Sequence, residues 1–220
     1  MKRLYFVLLA AAGCLCLSSG VAGQMGLFSK PNITDIFKPV VGNGAMYEMQ
    51  HTDKDKAPTQ MEMTIVGKEM VDGQQGYWME SGHAAGKNGE VTYSKMLVTK
   101  DFQFKKVIFQ RPGQGAMEMP FNPTEETHNH IKEEMEKWHQ VGTETITVPA
   151  GTFNCAHWKK DDGDGDVWVS DKVSPMGMVK SISQSNTMVL TKLITGATDH
   201  ITGPVTKFDP QAMRQQRQKP

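Results

Sequence analysis

The sequence predicts a mainly β protein: an antiparallel meander of short strands crossed by one helix. Three observations lead there. Apolar and polar residues alternate with period 2 in Met61-Glu62-Met63-Thr64-Ile65 and in several runs like it. Turn chemistry separates those runs at near-hairpin spacing, at Asp72-Gly73, Lys87-Asn88-Gly89 and Arg111-Pro112-Gly113. Only one stretch carries a strong helical pattern, and it stands alone between strands, so there is no alternation of strand and helix.

Before the strands comes a different texture. Lys2 and Arg3 precede an apolar run from Leu4 to Leu17, and Val21-Ala22-Gly23 offers small residues for cleavage. Charge, apolar run and small residues in that order form a bacterial-type secretory signal, expected over 1–23. The apolar run is about 14 residues, short of the ~20 that span a bilayer. The mature chain is therefore expected in the periplasm or outside the cell, with no transmembrane segment. Cys14 after Ala11-Ala12-Gly13 is a partial match to a lipidation signal, but it lies early and a soluble-type cleavage site follows it. Residues 24–39 read as a leader with a short helical turn, capped by Asn32 and stopped by Pro39.

The β region is expected over 40–196. Its first half holds strands at Ala45–Gln50, Met61–Ile65, Gly76–Ser81, Val91–Thr99, Lys105–Arg111 and Ala116–Met119. A helix is expected over 124–139. Thr124 caps it, Glu125 and Glu126 sit where the helix dipole favours anions, and Ile131, Met135 and Trp138 form one apolar stripe. Strands follow at Thr143–Val148, Thr152–Lys159, Val167–Ser170, Gly177–Ser183 and Thr187–Ile194. Pro149-Ala150-Gly151 makes a sharp bend, because proline donates to no ladder and glycine accepts positive φ. The polar, basic stretch 197–220 reads as a flexible tail.

Charge and cysteine content narrow the function classes. The whole chain balances 24 basic against 24 acidic residues. Loss of Lys2 and Arg3 leaves it slightly acidic, with no basic footprint for nucleic acid. Cys155 alone remains of three cysteines, so no internal disulfide is expected and stability must come from burial. No Gly-x-Ser-x-Gly, His-Glu-x-x-His or phosphate-cradling loop occurs, so no enzyme activity and no cofactor is expected.

Two stretches carry a resemblance. Gly142-Thr-Glu-Thr-Ile-Thr-Val-Pro-Ala-Gly-Thr-Phe153 and the later Asp166–Lys180, with Trp168 and Gly177-Met178-Val179-Lys180, are similar to a group of secreted bacterial domains of unknown function. That group resembles the LolA-like, lipoprotein-carrier-like fold. The resemblance covers roughly 142–194. It implies a strongly curved antiparallel sheet, a half-barrel, with one or two helices packed on its concave side, and it brings no catalytic motif.

Methionine is the unusual residue, with 16 in the chain. Flexible thioethers suit a deformable apolar pocket. Met61, Met63, Met117, Met119, Met135 and Trp138 are the expected lining of a site for an apolar or lipid-like ligand. Soft thioethers also suit Cu(I). Met49, His51, Met61, Met63, Met117 and Met119 are the alternative set for that metal. A third alternative is an envelope protein with a solid core and no pocket. Asp162, Asp164 and Asp166 resemble the start of a calcium loop, but the bidentate glutamate expected later is missing, and the run reads as a hairpin turn. Sequence leaves the oligomeric state and the ligand open.

Overall fold

The computed structural model describes residues 33–53, 57–85, 90–120 and 133–209. The secretory segment, the start of the expected helix and residues 210–220 lie outside them.

One helical turn, α1 (Ile33–Ile36), leads into the strands. The first half is a meander: β1 (Gly44–His51), β2 (Thr59–Val71), β3 (Gln74–Ala85), β4 (Glu90–Thr99), β5 (Phe104–Gln110) and β6 (Ala116–Met119). The second half is another: β7 (Trp138–Val148), β8 (Gly151–Lys160), β9 (Gly165–Val169), β10 (Met178–Ser183) and β11 (Asn186–Ile194). The strands expected from sequence are all present, most of them longer by one or more residues. The β2–β3 hairpin closes on Asp72 and Gly73, both at positive φ (51° and 76°), as a two-residue hairpin turn requires.

Among the described residues the strands form one sheet, ordered β12-β6-β5-β4-β3-β2-β1-β11-β10-β9-β8-β7, where β12 is Val205–Lys207. The two meanders join where β1 pairs antiparallel with β11, Tyr47 facing Leu190. The sheet is curved. Register slips occur in β1–β11, β2–β3, β4–β5, β7–β8 and β9–β10, and such bulges bend and twist a sheet. Met63 on β2 and Trp138 on β7 line the same cavity, although six strand spacings separate them in the sheet order. A flat sheet would hold them about 29 Å apart.

The main core lies where the meanders meet. Tyr47, Cys155, Val173, Val179 and Leu190 are fully buried there. The Tyr47 hydroxyl donates to the Met178 carbonyl at 3.1 Å, tying β1 to the start of β10. A second cluster gathers Ile65, Met79 and Val98 around Phe37, whose ring meets Phe102 and Tyr77 edge-on. Phe37 thus anchors the leader against the sheet. Lys38 N–H donates to the Pro175 carbonyl at 2.8 Å, and Ser174 Oγ donates to the Lys38 carbonyl at 3.0 Å.

Two expectations need correction. The helix expected through residue 139 ends earlier. Its described part is one helical turn over 133–136, and Trp138 already pairs with Lys160 as the first residue of β7. Pairing with β8 satisfies the backbone from Trp138 onward, and tryptophan fits a half-buried strand well. The apolar stripe of Met135 and Trp138 therefore spans a helix-to-strand junction. The flexible tail expected from residue 197 is also wrong for its first part. Residues 197–209 fold back across the sheet, Ile201 is buried against Ile108 and Ala116, and β12 adds in parallel to β6. The sheet is therefore mixed rather than wholly antiparallel.

Candidate functional site

Register sets the walls of an apolar cavity. On β9, Val167 and Val169 are two residues apart and share a face. Trp158 of β8 lies directly opposite Val167. Trp138 of β7 extends this wall, one row along, opposite Lys160. Met63 of β2 closes the cavity from the other limb of the curved sheet, and Met176 and Met178 come from the turn before β10 and its first residue. Ile36 and Met135 complete the lining. The leader that Phe37 anchors therefore also delivers Ile36 to the site.

The cavity is open to solvent on one side and has a volume of about 340 Å³, and no charged, amide or hydroxyl side chain lines it. An apolar pocket of this kind favours apolar guests. Charges lie just outside it and are paired. Lys160 bridges to Asp162 at 3.0 Å, Lys137 pairs with Glu134, and His139 Nδ1 lies 2.7 Å from Asp161 Oδ1. The hydrogen bond to Asp162 holds the Lys160 ammonium above its usual range. The Asp164 backbone N–H, and then Lys160, hold the Asp162 carboxyl below its own.

Of the six residues expected to line a ligand site, the structure brings Met63, Met135 and Trp138 together. Met61 faces Tyr47 and His83 and is not part of this lining, although it packs, like Met63, against the main core. Met117 and Met119 lie on β6, opposite Phe109 and Val107, four strands from β2. Met49 faces Met188 and His51 faces Asn186 on β1, away from the β6 pair. Among the described residues no group of three or more His, Cys, Asp or Glu side chains is placed to hold a metal. The aspartates of the β8–β9 turn diverge: Asp162 bonds to Lys160, while Asp166 turns to His157.

Sequence reasoning missed Ile36, Trp158, Val167, Val169, Met176 and Met178. The Met176-x-Met178 pair was visible as a pair, but nothing local says that it faces Met63. Trp158 and Val167 become neighbours only once the β8–β9 register is known.

Two polar clusters lie outside the cavity lining. His157 sits between Glu144 and Asp166, with each ring nitrogen 2.6 Å from a carboxylate oxygen, and its ring stacks on Trp168. Both nitrogens are thereby engaged. The second cluster holds the segment after β11. The buried Glu80 carboxylate accepts from the backbone N–H groups of His200 and Ile201, and Lys95 pairs with Asp199.

No protein-family profile and no curated protein matches the chain. Among solved structures it is similar to a candidate lipoprotein of Parabacteroides distasonis, at 13% identity and a TM-score of 0.36, covering 72% of this chain and 97% of that one. It is also similar to a candidate exported protein of Bacteroides fragilis with a YmcC-like fold, at 12% identity and a TM-score of 0.35, covering 72% and 98%. Among the described residues no helix is long and apolar enough to cross a membrane.

Proposed function

We propose that this chain is an exported, non-enzymatic binding protein of the bacterial envelope whose ligand is apolar or lipid-like. The observation that carries the reading is the cavity of about 340 Å³ walled only by Ile, Val, Met and Trp side chains. Four of its lining residues are methionines, whose unbranched thioethers can repack around different apolar shapes. The secretory pattern over 1–23 supports the envelope location. The Val148-Pro149-Ala150-Gly151-Thr152-Phe153 resemblance supports the half-barrel reading of the curved sheet.

The test is to purify the protein from the envelope fraction under mild conditions and extract it with organic solvent. Native mass spectrometry before and after extraction is expected to show an apolar adduct that extraction removes. A protein that carries no adduct, and takes up none from a lipid extract, would overturn the reading.

A further inference from the structure

We propose that a second pocket, which shares no residue with the apolar cavity, binds a small hydroxylated aromatic acid. Arg111 takes its carboxylate and His200 its hydroxyl.

The pocket is open to solvent on one side and has a volume of about 250 Å³. Val91 and Tyr93 of β4, the end of β5 with the turn after it, and His200 of the segment after β11 line it. Its two polar arms are fixed in place. Arg111 opens a turn whose central residues are Pro112 and Gly113, the latter at φ 70°, and the Gln114 N–H donates to the Arg111 carbonyl at 3.0 Å. That is a type II turn, in which proline fits the first central position and glycine the second. Gln110 Nε2 braces the same turn on the Gln114 carbonyl at 3.4 Å. His200 is held by Glu80: its backbone N–H and its Nδ1 lie 3.1 and 2.7 Å from Oε1 of that buried carboxylate. Its ring also stacks on Tyr93, with centroids 4.5 Å apart and an interplanar angle of 11°.

The chemistry of the arms defines the guest. Among the described residues no acidic side chain lines the pocket, so the exposed Arg111 guanidinium has no carboxylate beside it there. Its planar fork fits a carboxylate through two parallel hydrogen bonds. Its single charge balances a carboxylate rather than a doubly charged phosphate ester. The Glu80 carboxylate can only accept, so it takes the Nδ1 proton of His200, and Nε2 of the neutral ring is left as an acceptor. An acceptor there calls for a hydroxyl on the guest, not for a second anion. Val91, Pro112 and the Tyr93 ring supply apolar surface for the body of the guest. A cavity of about 150 Å³ holds one benzene, so about 250 Å³ takes one ring with two substituents.

The experiment titrates the purified protein with para-hydroxybenzoate and its ortho and meta isomers. Benzoate and para-hydroxybenzyl alcohol are the comparison guests, each lacking one of the two groups. Heteronuclear NMR reads the amides of Arg111 and Gly113 and the ring of His200. At least one hydroxybenzoate isomer is expected to shift those signals saturably, with benzoate and the alcohol each binding about fivefold or more weakly. Arg111→Gln is expected to weaken that isomer about tenfold or more and to leave the alcohol unchanged. Arg111 is exposed in a turn, so the variant is expected to stay folded, and its thermal midpoint checks this. No saturable shift with any isomer, a comparison guest that binds as tightly as the best isomer, or an unchanged affinity in folded Arg111→Gln would overturn the proposal. Each of those results leaves the reading of the apolar cavity standing, because the two linings are separate.

Discussion

His200 Nδ1 lies 2.7 Å from Oε1 of Glu80, a carboxylate only 1% exposed in the middle of β3. The same carboxylate accepts from the His200 and Ile201 backbone N–H groups. A buried acid at the centre of a sheet is costly unless its partners are supplied, and here the chain after β11 supplies them. Glu80→Ala strands those donors and is expected to cost about 3 kcal/mol or more. Ile201→Ala, which empties the apolar contact beside them, is expected to cost about 2–5 kcal/mol. Urea denaturation checks both. Variants as stable as the parent would mean that 197–209 contributes little to the fold.

The pH dependence of stability has two parts of opposite sign. Burial pushes the Glu80 carboxyl above the usual glutamate range. Its contribution is therefore fully present below the unfolded value and lost as pH rises through the folded one. Glu69 is the reverse: the hydrogen bond from Lys106, 2.6 Å away, holds it below that range. Its contribution is present above the unfolded value and lost as pH falls through the folded one. The Glu69 effect is expected to be small and weakened by salt, because both partners are more than a third exposed. Denaturation midpoints of Glu80→Gln and Glu69→Gln against the parent from acid to neutral pH are expected to diverge in opposite directions. Parallel curves would contradict the assignment.

Much of the fold was legible because hairpin strands declare themselves locally. Alternation located β2, and the Asp72-Gly73 turn located its hairpin with β3. The curvature was legible only through the resemblance of 142–194. Long-range relations were not legible. The segment 197–209 looked like a tail because its one buried side chain, Ile201, is surrounded by polar residues. Their polarity serves partners on β3 and β4 that are far away in sequence. The cavity was half legible for the same reason. Met63, Met135 and Trp138 stood out by residue type, whereas Val167, Val169 and Trp158 look like any strand residues until the register is known. Met117 and Met119 have the same i, i+2 pattern as Met61 and Met63, and only the strand order separates them.

Gly44 opens β1 against β2 with no room for a side chain. A Cβ there would stand 2.4 Å from the Met63 carbonyl oxygen and 2.8 Å from the Thr64 Cα. Backbone cannot step aside as a side-chain tip can. Gly44→Ala is expected to lower stability by about 1–3 kcal/mol, read as a lower thermal midpoint. It also shifts the backbone of Met63, so weaker binding of an apolar dye is expected with it. An unchanged midpoint would contradict the packing described for the β1–β2 pair.

Cys155 is fully buried, and burial, with Glu144 nearby as a second cause, pushes its thiol above the usual range. A buried neutral thiol reacts poorly. Ellman's reagent is expected to leave Cys155 unmodified in the folded protein and to titrate one thiol per chain, in the form lacking 1–23, once denaturant is added. Rapid labelling of the native protein would contradict its place in the core.

The central claim is that the apolar cavity between β2 and β7–β10 is a binding site. Titration with N-phenyl-1-naphthylamine tests it most directly, using one variant inside the cavity and one matched control outside it. The parent is expected to bind one dye per chain saturably. Met63→Glu, which places a carboxylate in the cavity wall, is expected to abolish binding. Met117→Glu, the same change on β6, is expected to leave it intact. No saturable binding by the parent, or equal loss in both folded variants, would contradict the account.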